Sequence, residues 1–257
     1  MSKYPLDRLV EIMDKLLSPD GCPWDREQTH ASLTRYLIEE AYEVVDAVWA
    51  NDMEKLKEEL GDVLLQVVFH SALAKREQAF DINDVIEGVS EKMIRRHPHV
   101  FGSLALSTSS EVLDRWEGFK EKEGKKRVLE GIPKSLPALM RAEKLQAKAA
   151  RVGFDWPDVE GALEKVAEEI RELAEAKRPE SVASEMGDIL FAVVNVARFL
   201  GVDPEEALQK TNDKFEKRFN YIEDQLRRQG KTWGKMSLEE LDQLWEKAKH
   251  QVFEGEV

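Results

Sequence analysis

A pattern of acids that occurs twice constrains this chain more than any other feature. In the first half, Leu37-Ile38-Glu39-Glu40-Ala41-Tyr42-Glu43 is followed by Glu58-Glu59-Leu60-Gly61-Asp62-Val63-Leu64. In the second, Val166-Ala167-Glu168-Glu169-Ile170-Arg171-Glu172 is followed by Ser184-Glu185-Met186-Gly187-Asp188-Ile189-Leu190. Both read E-E-x-x-E and then E-x-G-D, with 15 residues between Glu43 and Glu59 and 12 between Glu172 and Glu185. A chain of 257 residues has room for two small domains, so two related units are the economical reading.

Those units should be helical. Apolar residues recur at intervals of three and four through 6–17, 33–49, 53–73, 85–94, 138–150, 162–176, 182–200, 204–226 and 238–249, and period-two alternation is scarce. Turn signals stand at Ser18-Pro19-Asp20-Gly21, Asn51-Asp52, His97-Pro98-His99, Arg178-Pro179 and 201–204. The fold class expected is all-α. A stretch with two prolines and a glycine, Gly131-Ile132-Pro133-Lys134-Ser135-Leu136-Pro137, separates charged helices. It suggests a first domain over 1–127, a linker over 128–137 and a second domain over 138–257.

Helical geometry puts the repeated acids on matching faces. With Leu37 at zero and about 100° per residue, Ala41, Val44 and Val48 form one apolar stripe, Glu40 falls at about 300° and Glu43 at about 240°. Glu59 and Asp62 take the same offsets from the stripe of Leu56, Leu60, Val63 and Val67, as do Glu169 and Glu172, then Glu185 and Asp188. If each pair of helices is an antiparallel hairpin turning near Asn51 or Arg178, the acids also come level. Glu43 and Glu59 are each eight residues from Asn51, about 12 Å along either helix at 1.5 Å per residue.

Four carboxylates meeting at the edge of a packed face repel one another unless a cation holds them. Oxygen donors without cysteine or paired histidine select Mg²⁺ or Mn²⁺. The rival di-iron bundle requires Glu-x-x-His on two helices, and the one such spacing, Glu27 to His30, lies outside the hairpins. Gly61 and Gly187 sit between the Glu and the Asp in both halves, where a helix interior disfavours glycine by ~1 kcal/mol. Close approach of backbone or ligand is the expected reason. A solvated, Glu-rich helix surface is the ordinary explanation of any single motif in a chain with 51 acids, but recurrence at the same angle and height argues against it here.

Charge and cysteine content narrow the function further. The formal net charge of −13 argues against non-specific nucleic-acid binding, which relies on a basic face. The lone Cys22 cannot close an internal disulfide and suits a reducing cytoplasm. No stretch approaches the ~18 apolar residues of a membrane span. Lys92, Arg95 and Arg96 follow the first hairpin, and Lys214, Lys217 and Arg218 follow the second. Lys92/Arg96 and Lys214/Arg218 are four apart, so each pair presents two cations on one face for a polyphosphate, or a solvated charged surface. Trp116 and Trp245 occur in corresponding places and could stack a base or simply pack.

The run Cys22-Pro23-Trp24-Asp25, then Gln28-Thr29-His30, Ser32-Leu33, Tyr36-Leu37 and Glu39-Glu40-Ala41-Tyr42-Glu43, closely resembles the MazG family of nucleoside triphosphate pyrophosphohydrolases. So does Val152-Gly153-Phe154-Asp155-Trp156 with its downstream acids. The resemblance covers essentially the whole chain. It implies a homodimer of tandem all-α domains that cleaves nucleoside triphosphates to monophosphate and pyrophosphate with Mg²⁺. By motif, the ligands would be Glu40, Glu43, Glu59 and Asp62, and Glu169, Glu172, Glu185 and Asp188. Lys165, Lys214, Arg218 and Trp245 fall where the family's second domain contacts nucleotide. Counted from the acids, Tyr36 replaces Lys165 and Phe69 replaces Asn195, so the first half is expected to grip phosphate through Lys92, Arg95, Arg96 and Lys120 instead.

Glu39 or Glu168, beside the ligands, is the candidate general base for water attacking the α-phosphorus. One hairpin covers its own apolar stripe poorly, so dimers that stack hairpins into four-helix bundles are expected. A non-catalytic helical module that senses nucleotide is the competing class, and pyrophosphate release separates the two.

Overall fold

The computed structural model describes residues 5–104, 108, 111 and 127–251. The chain divides into two compact units, Met1–Phe119 and Lys120–Val257. The first contains α1 (Pro5–Leu16), α2 (Pro23–Glu27), α3 (His30–Trp49), α4 (Met53–Arg76), α5 (Ile82–Arg96) and α6 (Pro98–Phe101). The second contains α7 (Ala138–Arg151), α8 (Val159–Glu175), α9 (Pro179–Phe199), α10 (Pro204–Arg228), a single 3-10 turn at Trp233–Lys235, and α11 (Leu238–Gln251). No strand occurs among the described residues, as the periodicity requires.

Polar caps start several helices about three residues ahead of their apolar periodicity. Thr29 Oγ1 accepts from the Ser32 amide at 3.1 Å while Ser32 Oγ accepts from the Thr29 amide at 2.9 Å, which starts α3 at His30. Such a reciprocal cap satisfies two amides that the helix cannot. Asp81 and Asp84 do the same for α5, and Pro179 opens α9 where its missing N–H costs nothing. Asn51 adopts a positive φ of 53° between α3 and α4, a conformation asparagine tolerates. Asp52 Oδ1 then accepts from the Glu54 and Lys55 amides. The hairpin therefore turns where expected. His97-Pro98-His99 is not a simple turn: Pro98 is the first residue of the one-turn helix α6.

The α3–α4 hairpin dominates the first unit and the α8–α9 hairpin the second. α1 packs along α4, burying Met13, Leu17, Leu33, Val68, Phe69, Ala72 and Leu73 together. In the second unit α7 lies on α9, where Gln146 Nε2 donates to the Phe191 carbonyl at 2.7 Å. Ile222, Leu226 and Leu244 close a smaller core between α10 and α11.

The apolar stripe proposed for the buried faces behaves differently from expectation. Val48 is 53% exposed and Leu60 52%, and in the second unit Met186 is 45% and Leu190 51% exposed. Two helices alone leave that side of the hairpin uncovered. Gly61 and Gly187 follow suit: a Cβ added at either would meet nothing within 4 Å, so their own unit makes no close approach there.

Candidate metal centre

Each hairpin gathers three carboxylates. Oxygens of Glu40, Glu43 and Glu59 lie within 4.8 Å of one another, and so do those of Glu169, Glu172 and Glu185. Two come from the first helix of the hairpin and one from the second, because residues three apart share a helix face and the antiparallel partner brings its acid level. Asp62 and Asp188 stand one turn further from the hairpin turn, outside these triads. Their charges still reach in, Asp62 toward Glu40 and Asp188 toward Glu185.

One acid of each triad is buried beneath the others: Glu59 is 2% exposed and Glu169 5%. Both are met by a lysine one helical turn earlier. Lys55 pairs with Glu59, and Lys165 Nζ lies 2.6 Å from Glu169 and 2.7 Å from Glu168. The contact with Lys55 holds Glu59 below the ordinary carboxylate range. Glu43 is pushed up, first by its hydrogen bond to Glu59 and then by the charge of that residue. Glu40 is raised by burial and by the charges of Asp62, Glu59 and Glu39. In the second unit burial raises Glu185, reinforced by Glu172, Asp188 and Glu169.

Carboxyls pushed upward by burial and by one another's charge are relieved by a positive charge placed among them. A divalent cation with oxygen ligands at about 2.1–2.5 Å holds donors up to about 4–5 Å apart, which is the spacing of these triads. The donor set is oxygen only and fits a hard divalent cation.

The other expected site residues are distributed as follows. Glu39 and Glu168 are exposed beside their triads, and the Lys165 contact lowers Glu168. Lys92, Arg95 and Arg96 lie in the last two turns of α5, whereas the counter-ion of the first triad is Lys55. Lys120 and Trp116 fall outside the described residues. On α10, Lys214 and Arg218 are half-buried. The Arg218 guanidinium sits over the Trp245 ring at 5.3 Å. Trp245 also packs on Phe215, with ring centres 5.3 Å apart, and against the core of α10 and α11.

Asn195 is half-buried on α9 and accepts from Arg198 through Oδ1, at 3.0 Å from Nε and 2.8 Å from Nη2. Arg198 is also paired with Asp155.

Three features had not been anticipated. Lys55 was legible as a partner four residues before Glu59. The Asp155–Arg198 pair and the stacked His30 and His70 rings, whose Nδ1 atoms are 2.7 Å apart, join residues more than three dozen positions apart, where spacing carries no signal.

The model of the MazG nucleotide pyrophosphohydrolase domain matches twice, over residues 28–101 and 158–222. Each match contains one complete triad. The nucleoside triphosphate pyrophosphohydrolase/pyrophosphatase MazG of Thermotoga maritima is 49% identical over 246 residues, 95% of each chain. The nucleoside triphosphate pyrophosphohydrolase of Escherichia coli K12 is 46% identical over 256 residues, 96% of this chain and 97% of that one. The Bacillus subtilis protein YabN is 50% identical over 245 residues, 93% of this chain but 50% of its own greater length.

Proposed function

This chain belongs to the MazG nucleotide pyrophosphohydrolase family and carries its domain twice, and from that premise we propose that it hydrolyses nucleoside triphosphates to monophosphate and pyrophosphate, with one reaction centre in each half. The observation that carries the reading is the pair of carboxylate triads, each closed to within 4.8 Å on the matching hairpin of its domain.

Glu40, Glu43 and Glu59, with Asp62 beside them, would hold Mg²⁺ or Mn²⁺ in the first half, and Glu169, Glu172 and Glu185, with Asp188, in the second. A divalent cation there supplies charge neutralisation for the triphosphate and the departing pyrophosphate, and lowers the cost of ionising water. The chain's own groups do the rest. In the first half Glu39 takes the proton of the water that attacks the α-phosphorus as the α–β anhydride bond breaks. In the second, Glu168 is tied to Lys165 until a phosphate draws the lysine away. The same exchange moves the lysine's charge onto substrate and leaves the carboxylate to accept the proton. Lys214, Arg218 and Trp245 form the nucleotide contacts of the second half, and Lys92, Arg95, Arg96 and Lys120 the phosphate contacts of the first.

The doubled family match supports a reading as two domains, which we place over 1–127 and 138–257 with a linker over 128–137. The uncovered apolar sides of both hairpins support a homodimer that completes four-helix bundles. No helix among the described residues is long and apolar enough to cross a membrane. The acidic balance and the single cysteine favour a cytoplasmic enzyme acting on free nucleotides, without non-specific nucleic-acid binding.

Phosphorus NMR of a reaction with ATP and Mg²⁺ tests the reading. AMP and pyrophosphate are expected; ADP with orthophosphate, or intact ATP alongside protein-bound nucleotide, would favour a different cleavage or a sensor.

A further inference from the structure

Asn195 stands seven residues beyond Asp188 on α9, on the same face and about 10.5 Å further along the helix. A triphosphate held at the triad and running along α9 would bring its nucleoside end to this height. The orientation of the Asn195 amide is chemically forced. A guanidinium has donors only, so the atom that meets Nε and Nη2 of Arg198 at 3.0 and 2.8 Å must be the amide oxygen. Both lone-pair directions of Oδ1 are then used. The Nδ2 group makes no hydrogen bond among the described residues and is left as a pure donor.

Arg198 is itself fixed on two further sides. Its Nη2 pairs with Asp155, and its guanidinium lies over the Phe199 ring at 4.5 Å. The arginine side chain is 16% exposed and that of Asp155 23%, so the ion pair is largely sheltered from solvent. Asp155 belongs to the Gly153-Phe154-Asp155-Trp156 turn between α7 and α8. That loop thus reaches the nucleotide side of α9 through a single arginine.

The first half has no such device. Counted from Asp62, the places of Asn195 and Arg198 are taken by Phe69 and Ala72, and both are buried in the core against α1, 4% and 7% exposed. An amide there would be sealed under Met13 and Leu17.

We propose that Arg198, locked by Asp155, is a positioning residue that turns the Asn195 carboxamide so that Nδ2 donates to an acceptor atom of the nucleoside part of the substrate in the second half alone. The inference rests on the proposed function, since it presumes that a nucleotide occupies this site. Arg198 acts only through Asn195, so their effects should not add.

The test uses the full chain with the first centre disabled by Glu43→Ala, and reads kcat and KM for ATP with Mg²⁺ beside the dissociation constant for α,β-methylene ATP. Asn195→Ala should raise KM and the dissociation constant about three- to tenfold, the worth of one hydrogen bond, with kcat changed less than twofold. Arg198→Lys, which keeps a charge opposite Asp155 but lacks the two-pronged donor, should do the same. The pair Asn195→Ala/Arg198→Lys should be no worse than Asn195→Ala. Losses that multiply in the double variant, a fall in kcat at unchanged KM, or an Asn195→Ala protein that binds as tightly as the parent would each overturn the relay. Failure of the parent to hydrolyse ATP while binding the analogue would refute the activity, and the relay would then stand or fall on the dissociation constants.

Discussion

Lys165 holds Glu169 at 2.6 Å across one turn of α8, and the pairing of Lys55 with Glu59 on α4 is its counterpart. The two halves reach this by opposite routes. The buried acid and its lysine stand on the second helix of the first hairpin and on the first helix of the second hairpin. In both, a side chain supplies the positive charge that the crowded carboxylates lack. A metal bound at either triad would compete with the lysine for the same oxygens.

Removing that internal cation should strengthen the response to metal. Lys55→Met is expected to lower the melting temperature of metal-free protein by about 2–4 °C and to enlarge the gain on adding Mg²⁺. Differential scanning calorimetry with and without 5–10 mM Mg²⁺, taken as roughly saturating for a site of this class, makes the comparison. An unchanged Mg²⁺ gain would mean that Lys55 does not compete at the site.

The raised carboxyls fix a sign for the pH dependence. Glu40, Glu43 and Glu185 bind protons more tightly folded than unfolded, so they favour the folded state most below the ordinary carboxylate range. That contribution is lost as pH rises through their raised values. Glu59, which is lowered, works in the opposite direction. Asp81, Glu168 and Glu240 are lowered as well, so the sign holds for the raised acids of the triads and not for the whole chain: in mildly acidic solution, metal binding there should release protons. Calorimetric titration of Mg²⁺ in two buffers of different ionisation enthalpy would show the release; identical heats in both would contradict it.

Sequence reasoning located the longer helices because apolar periodicity over three or more turns is unambiguous. It did not reveal α2 or α6, which are too short to show a period, and it started α3 and α5 late because caps are polar. Angle and height anticipated that Glu40, Glu43 and Glu59, and Glu169, Glu172 and Glu185, would come together, yet which of them would be buried was not legible. Periodicity assumes that an apolar stripe is covered by its own chain. Here Leu60 is half exposed and Glu59 beside it is sealed, because coverage depends on which helices cross the hairpin. The Asn195–Arg198 contact had a readable spacing of three, but the Asp155 that locks it is 43 residues away.

The exposed stripe leads to an assembly prediction. Light scattering at micromolar concentration should give twice the 29.5 kDa mass of the chain. Val48→Lys combined with Leu64→Lys, at positions 53% and 42% exposed in the single chain, should return it to the mass of one chain. A monomeric parent protein would leave those apolar sides without their expected partner.

Stability of the first unit should depend on its own core. Leu33 is 1% exposed among Met13, Val68 and Phe69, so Leu33→Ala is expected to cost about 3 kcal/mol. Urea unfolding should then show the first unit melting early while Mg²⁺ binding by the Glu169, Glu172 and Glu185 triad persists. Loss of both together would show that the units do not fold separately.

The claim of two reaction centres is tested most directly by pyrophosphate release from Glu43→Ala, Glu172→Ala and the double variant, measured across ATP, GTP, CTP and UTP with Mg²⁺. Each single variant should lose metal affinity in its own half by about 10–100-fold and keep measurable hydrolysis, with base preferences that differ because only the second half has Lys165 and Asn195. The double variant should be inactive. If either single change abolishes hydrolysis of all four nucleotides while the protein stays folded with its oligomeric state unchanged, only one half is an enzyme and the two-centre claim is wrong.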